Sequence, residues 1–457
     1  MKILLCNPKN SQGTKHSRKG MYVPLGILSI ATYLDETFRD SVHIDVCDED
    51  VAELSENIFP DYNVVGFYST TFNYKQAVRY AYLAKEYGCI TVLGGPHASV
   101  LFENILVNRS CFDYIIRFEA EYAFKKLVEY LLYGGDPKKL ADIPNLAFKD
   151  SNQKVLVSPT LYENVLTQIP IPSRAFIQFE SYIKNYQKMY PEKQNIRPGS
   201  IYSSKGCSWR DKTDGCVFCA RLEEGVRFRD IDQIWSEIKM LKEQYDVNSI
   251  WDIADDNLNN KNWFIEFVKK KPKSCKDLTF FIYSRANCIK PWVIDYFHEL
   301  NVMEVFIGVE SGDNRLLRES FKGQTRESTY RALKILNDHH IKFYPSFVLG
   351  LPGESEESLN NTLNLCQELV DLGGLDRLST TILKPIPGSR AYDRVLQETR
   401  FGRDLVNMDD IDLGFLEKYW IDRFTDVSYA TIENFRDRIN EIMEGYHVFG
   451  GPVDDRS

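Results

Sequence analysis

The sequence predicts an α/β protein: an N-terminal doubly wound parallel sheet, a partial (β/α)6 barrel, and a small helical C-terminal region. Two observations predict this. Short apolar strands alternate with helical periods over residues 1–145 and again over 196–393, and alternation of that kind builds parallel sheets covered by helices. A proline-punctuated stretch with Ile143-Pro144 and Ile169-Pro170-Ile171-Pro172 separates the two series, so residues 146–195 read as a connector.

In the first series, Lys2–Cys6, Val42–Val46, Val64–Tyr68, Ile90–Leu93 and Tyr114–Ile116 are the expected strands. Helical patterns cover Leu25–Leu34, entered at Pro24, then Tyr74–Tyr87 and Glu121–Leu132. Ligands on such sheets bind beyond the carboxyl ends of the strands. In the second series, strands are expected at Ser200–Ser204, Ser249–Ile253, Thr279–Tyr283, Glu304–Val309, Lys342–Leu349 and Thr380–Leu383. Ile231, Ile234, Trp235, Ile238, Leu241 and Tyr245 mark one helix face, with Asp230 as its N-cap. Residues 394–457 read as helical, with a loose tail from Gly450.

The net charge of −9 comes without a basic stripe, which argues against nucleic acid as a partner. The run Lys269-Lys270-Lys271 reads as a solvated helix end. The N-terminus is too short and too soon interrupted for a signal peptide, and no apolar run approaches about 18 residues, so a cytoplasmic protein without a membrane span is expected. Ten cysteines in such a chain do not form a disulfide framework. Seven are dispersed and read as small buried hydrophobes.

The other three, Cys207, Cys216 and Cys219, lie in one loop after a predicted strand, spaced C-x8-C-x2-C. Three thiolates suit an iron–sulfur cluster or a soft metal, whereas structural zinc wants four ligands and no fourth is near in sequence. A cluster held by three cysteines keeps one iron open. Beyond this loop, Asp255-Asp256-Asn257, Ser284-Arg285, Gly308-Val309-Glu310-Ser311-Gly312, Ser346–Glu354 and Lys384–Ser389 each fall at a predicted strand end. Carboxylates suit an ammonium group and an arginine suits a carboxylate.

Taken in order after the triad, these segments resemble the radical S-adenosylmethionine superfamily. Its commonest spacing is C-x3-C-x2-C, so Arg210–Gly215 forms part of a longer loop here. The resemblance implies a [4Fe–4S] cluster on Cys207, Cys216 and Cys219. It implies S-adenosylmethionine contacts from Phe218, Asp255, Asp256, Asn257, Ser284, Arg285, Glu310 and Ser311. The first series resembles the cobalamin-binding domains that precede such barrels, through Val23–Leu28, Val65–Thr71 and Leu93–Ser99. It implies cobalamin contacts from Ser69, Thr70, Thr71, Gly94, Gly95, Pro96 and His97, with hydroxyls bonding the corrinoid tail and the glycines admitting a bulky ligand.

Two departures stand out. The Asp-x-His-x-x-Gly motif that supplies a cobalt-ligating histidine is absent, His16 lacking its spacing. The family's Gly-Glu-Gly-Glu segment is Phe118-Glu119-Ala120-Glu121. The expected activity is C-methylation of an unactivated carbon in a small-molecule substrate through a 5′-deoxyadenosyl radical, with electrons from a donor such as flavodoxin or ferredoxin. Radical rearrangement, cyclisation or oxidation without methyl transfer is the alternative, followed by a corrinoid- or redox-sensing role without turnover.

Overall fold

The computed structural model describes residues 1–11, 20–134, 137–162, 166–398, 402–442 and 447–449; His16 lies outside them. The first sheet contains β1 (Lys2–Asn7), β2 (His43–Asp48), β3 (Val64–Tyr68), β4 (Ile90–Gly94), β5 (Tyr114–Ile116), β6 (Leu146–Lys149) and β7 (Val155–Val157), ordered β2-β1-β3-β4-β5-β6-β7. β1 to β5 run parallel, as their helical connections require. The alternation of β1 explains its position. Ile3 and Leu5 pack with Leu34, Val64 and Phe124 on one face, while Leu4 and Cys6 pack with Val65, Phe67 and Ala81 on the other. Both faces are buried, so the strand reads as a continuous apolar run. The order reverses between β1 and β3, which opens a crevice beyond the strand ends.

β6 and β7 correct the expectation of a pure connector over 146–195. They pair antiparallel, β6 on the open edge of β5. The polar Asp150-Ser151-Asn152 is their hairpin turn, held by the Asp150 carboxylate accepting from the amides of Asn152 and Lys154. The same stretch also supplies the helix Phe179–Met189, whose Tyr186, with the following Tyr190, packs against Trp251, Phe281 and Tyr344 inside the second sheet.

That second sheet joins β8 (Pro198–Ile201), β11 (Ser249–Asp252), β12 (Thr279–Ser284), β13 (Val302–Glu310), β14 (Lys342–Leu349), β15 (Arg377–Ile382) and β16 (His447–Phe449), all parallel and adjacent in that sequence. The first six are the expected partial barrel. The seventh comes from the region expected to be helical; three residues carry no periodic signal. The helices Leu413–Phe424 and Tyr429–Ile442 of that region are present. The Asp230 carboxylate accepts from the Gln233 amide, as its N-cap role requires.

The predicted first barrel strand ends early. After β8 the chain breaks, then β9 (Ser204–Lys205) pairs antiparallel with β10 (Arg227–Phe228). This ribbon closes the base of the cysteine loop. Gly206, at φ +92°, makes the closure possible, since a Cβ there would lie 2.0 Å from the Gly225 carbonyl oxygen.

Candidate functional site at the junction of the two sheets

Both sheets turn their carboxyl ends toward one cavity of about 740 Å³. Its walls include Tyr68, Thr70, Thr71, Gly94, Gly95, Pro96 and His97 from the first sheet, and Phe218, Cys219 and Arg221 from the cysteine loop. Two regions singled out separately in the sequence therefore meet.

Within the loop, the stretch after Cys207 forms the short helix Ser208–Thr213, ended by Asp214 at φ 60° and Gly215 at φ 84°. Arg210 in this extra stretch reaches back. Its guanidinium donates to the Cys219 sulfur at 3.8 Å and to the Glu223 carbonyl at 3.0 Å, and lies 3.8 Å from the Asp255 carboxylate. The Cys219 amide donates to the Cys216 carbonyl. Burial pushes the Cys216 thiol up to about 11, with Lys322 opposing the shift and Glu310 adding to it. Among the described residues no three His, Cys, Asp or Glu side chains converge on a point suited to one metal ion. A [4Fe–4S] cubane asks for something else, thiolates spread around a multi-atom body. The partly exposed sulfurs of Cys207, Cys216 and Cys219 on one loop fit that chemistry.

The strand-end residues divide into two groups. Asp255 stays at the site: its carboxylate lies 3.2 Å from Arg221, one oxygen is buried without a hydrogen-bond partner, and burial raises its pKa. Arg285 lies over the Trp209 ring at 4.5 Å, donates to the Lys322 carbonyl, and keeps a buried Nε without an acceptor. Glu310, at φ 66° beside a break in strand register, accepts from Lys322 at 2.6 Å in a buried pair. Burial works against the Lys322 charge, but Glu310 and Cys216 outweigh it and raise its pKa.

The others are committed internally. Asp256 accepts from the Leu258 amide and from Ser284 and Cys288. Asn257 exchanges hydrogen bonds with the Tyr283 backbone, and Ser311 bonds Thr362. These four residues, Ser284 included, hold the strand ends in place.

On the first sheet, Ser69 is fully buried, donates to the Gly94 carbonyl and does not line the cavity. Thr70 bonds Asn73. His97 opens the helix Pro96–Asn108 and is buried, with Nε2 at 2.9 Å from the Asp409 carbonyl and Nδ1 at 3.1 Å from the Thr71 hydroxyl. A carbonyl only accepts, so Nε2 carries the proton and Nδ1 accepts from Thr71. Burial holds this imidazole down at about 4, hence neutral.

The two glycines differ in purpose. Gly95, at φ +96°, is required by the protein itself, since a Cβ would lie 2.5 Å from the Ser69 carbonyl oxygen. Gly94 and Gly26 line the cavity and a Cβ on either would meet no atom within 3.4 Å, so these two leave room for a ligand. Phe118 takes φ 56° where the family pattern has glycine, so the turn survives the substitution. Ala120 needs no such freedom, at φ −109°. Glu119 pairs with Lys205 at 3.0 Å and Arg227 at 2.8 Å, tying the first sheet to the ribbon under the cysteine loop. Sequence reasoning missed Lys205, Arg221, Arg227 and Lys322. Their flanking of the cysteine loop and of the Glu-Ser-Gly segment was the available signal.

Comparison with known proteins agrees with this geometry. Residues 201–366 match the radical SAM superfamily and residues 13–128 match the B12 binding domain. The chain is 28% identical over 404 residues to the uncharacterized methyltransferase PH0819 of Pyrococcus horikoshii, covering 86% of this chain and 83% of that protein. It is 25% identical over 382 residues to the anaerobic magnesium-protoporphyrin IX monomethyl ester cyclase of Rubrivivax gelatinosus, covering 80% of this chain and 66% of that one. Its fold resembles the radical S-adenosylmethionine methyltransferase TsrM from Kitasatospora setae, solved with cobalamin and a [4Fe–4S] cluster, with a TM-score of 0.70 at 15% identity over 87% of this chain and 75% of the other. The two domains imply a [4Fe–4S] cluster, S-adenosylmethionine and cobalamin as cofactors. This chain thus carries a B12 binding domain followed by a radical SAM domain.

Proposed function

We propose that the protein is a cobalamin-dependent C-methyltransferase that acts on a small-molecule substrate through radical chemistry. The shared cavity supports this reading: the strand-end residues Thr70, Thr71, Gly94, Gly95, Pro96 and His97 and the cysteine-loop residues Phe218 and Cys219 face the same space. When bound, the cluster and S-adenosylmethionine supply a carbon-centred radical and the corrinoid supplies a methyl carrier. In this reading Cys207, Cys216 and Cys219 hold the cluster. Phe218, Asp255 and Arg285 bind S-adenosylmethionine, its ammonium at the Asp255 carboxylate and its carboxylate at the Arg285 guanidinium. Thr70, Thr71, Gly94, Gly95 and Pro96 shape the corrinoid wall, and His97 braces it. Glu119, Lys205 and Arg227 fix the distance between the two binding regions. An external donor such as flavodoxin or ferredoxin supplies electrons, and the protein works in the cytoplasm. No helix of the described residues is long and apolar enough to cross a membrane.

Anaerobic reconstitution with iron, sulfide and hydroxocobalamin tests the reading. Bound iron and cobalt are expected together, with both 5′-deoxyadenosine and S-adenosylhomocysteine formed under reducing conditions. Cys216→Ala is expected to lose the cluster absorbance and both products. The similarity to a cyclase favours a second reading, ring closure or rearrangement. It predicts 5′-deoxyadenosine without S-adenosylhomocysteine.

A further inference from the structure

We propose that Tyr68 is the protein group facing cobalt from the sheet side of the cavity, in place of a histidine. This rests on the cobalamin reading above. Phe218 and Cys219 line one side of this cavity and the strand ends of the first sheet line the other, so a corrin ring held between them would present a face to each. Tyr68 is the last residue of the central strand β3, paired with Gly94 of β4. Phe67 before it is buried, whereas Tyr68 is 36% exposed and lines the cavity. Its ring borders Gly95, where an added Cβ would come within 3.0 Å of it, and its nearest charges are Arg221 and Glu223 of the cysteine loop. The phenol therefore stands at the seam between the two walls.

The other polar groups on this wall are already engaged. Both nitrogens of His97 are occupied, so no lone pair is left for a metal. Thr70 is bonded to Asn73 and Ser99 to the Gly95 carbonyl. Glu121 accepts from Ser29, and Tyr162 donates to the Leu222 carbonyl. The Tyr68 hydroxyl makes no hydrogen bond among the described residues, and an aromatic ring offers a corrin a broad apolar contact.

The test compares wild type, Tyr68→Phe and Tyr68→Ala, loaded anaerobically with hydroxocobalamin and reduced to the cobalt(II) state. The paramagnetic resonance spectrum of wild type is expected to lack nitrogen splitting. Tyr68→Phe is expected to change the cobalt hyperfine spacing, and Tyr68→Ala to weaken corrinoid binding about tenfold by equilibrium dialysis, equivalent to about 1.4 kcal/mol. Iron content and circular dichroism serve as the folding control for the Phe variant. A wild-type spectrum with nitrogen splitting, or a Tyr68→Phe spectrum superimposable on wild type, would overturn the assignment of Tyr68 alone. Failure of wild type to bind the corrinoid would overturn the cobalamin reading and this inference together.

Discussion

At the scale of single residues, two positions show how backbone and burial set the terms for chemistry. Gly95→Ala should destabilise the protein by about 2 kcal/mol or more. It forces a side chain into a left-handed conformation and against the Ser69 backbone. A lowered urea midpoint would show this in cofactor-free protein, separating it from any effect on ligand. Asp252 sits fully buried at the end of β11, accepting from the Ser203 amide, and burial raises its carboxyl to about 6. The folded state thus holds a proton that the unfolded chain has released, so stability falls as pH rises from about 4 through 6. Asp252→Asn keeps the accepting oxygen and removes the charge. Its melting temperature is expected to gain on wild type between pH 4.5 and pH 7.5; an equal gap at both values would remove the titration argument.

At the scale of elements, the end of β13 is secured by the buried Lys322–Glu310 pair. Breaking it by Lys322→Ala leaves a carboxylate buried without its partner, which costs about 3–5 kcal/mol. Replacing both, Lys322→Met with Glu310→Gln, is expected to cost much less stability. Chemical denaturation of the two variants distinguishes a charge left unpaired from simple loss of packing. The same element logic applies at the bottom of the barrel, where Arg377 grips Glu304 through two nitrogens at 3.0 and 2.8 Å and also donates to Tyr190. The connector helix that brings Tyr186 is thereby part of the barrel core rather than a spacer.

At the scale of the molecule, the C-terminal region reaches back to the first sheet. The Asp409 carboxylate accepts from Tyr74 at 2.6 Å and Arg109 at 2.5 Å, and its backbone carbonyl accepts a hydrogen bond from His97 Nε2. Asp409→Ala leaves a buried tyrosine hydroxyl and a partly buried guanidinium without their acceptor, at a cost of about 2–4 kcal/mol. Faster amide exchange is expected in peptides covering 402–412 and in the Pro96–Asn108 helix, while the Arg326–Asp338 helix stays protected. Unchanged exchange at Pro96–Asn108 would mean that this strap does not support the cavity wall.

The chain by itself determined the two series of strands and helices, because apolar alternation and helical period are local properties. It also determined the cysteine triad and the order of strand-end motifs, because each is a short run with its own chemistry. Tertiary structure decided which members of those runs meet the cysteine loop and which are committed to the strand ends. Asp255 and Asp256 are adjacent in sequence, yet one meets Arg221 and the other is locked to Ser284 and a backbone amide. Direction at a strand end depends on how the chain leaves the sheet, and no local pattern encodes it. The hairpin of β6 and β7, the edge strand β16, and the ion pairs from Glu119 to Lys205 and Arg227 were hidden for the same reason: each depends on a partner distant in sequence, which only the folded chain brings near.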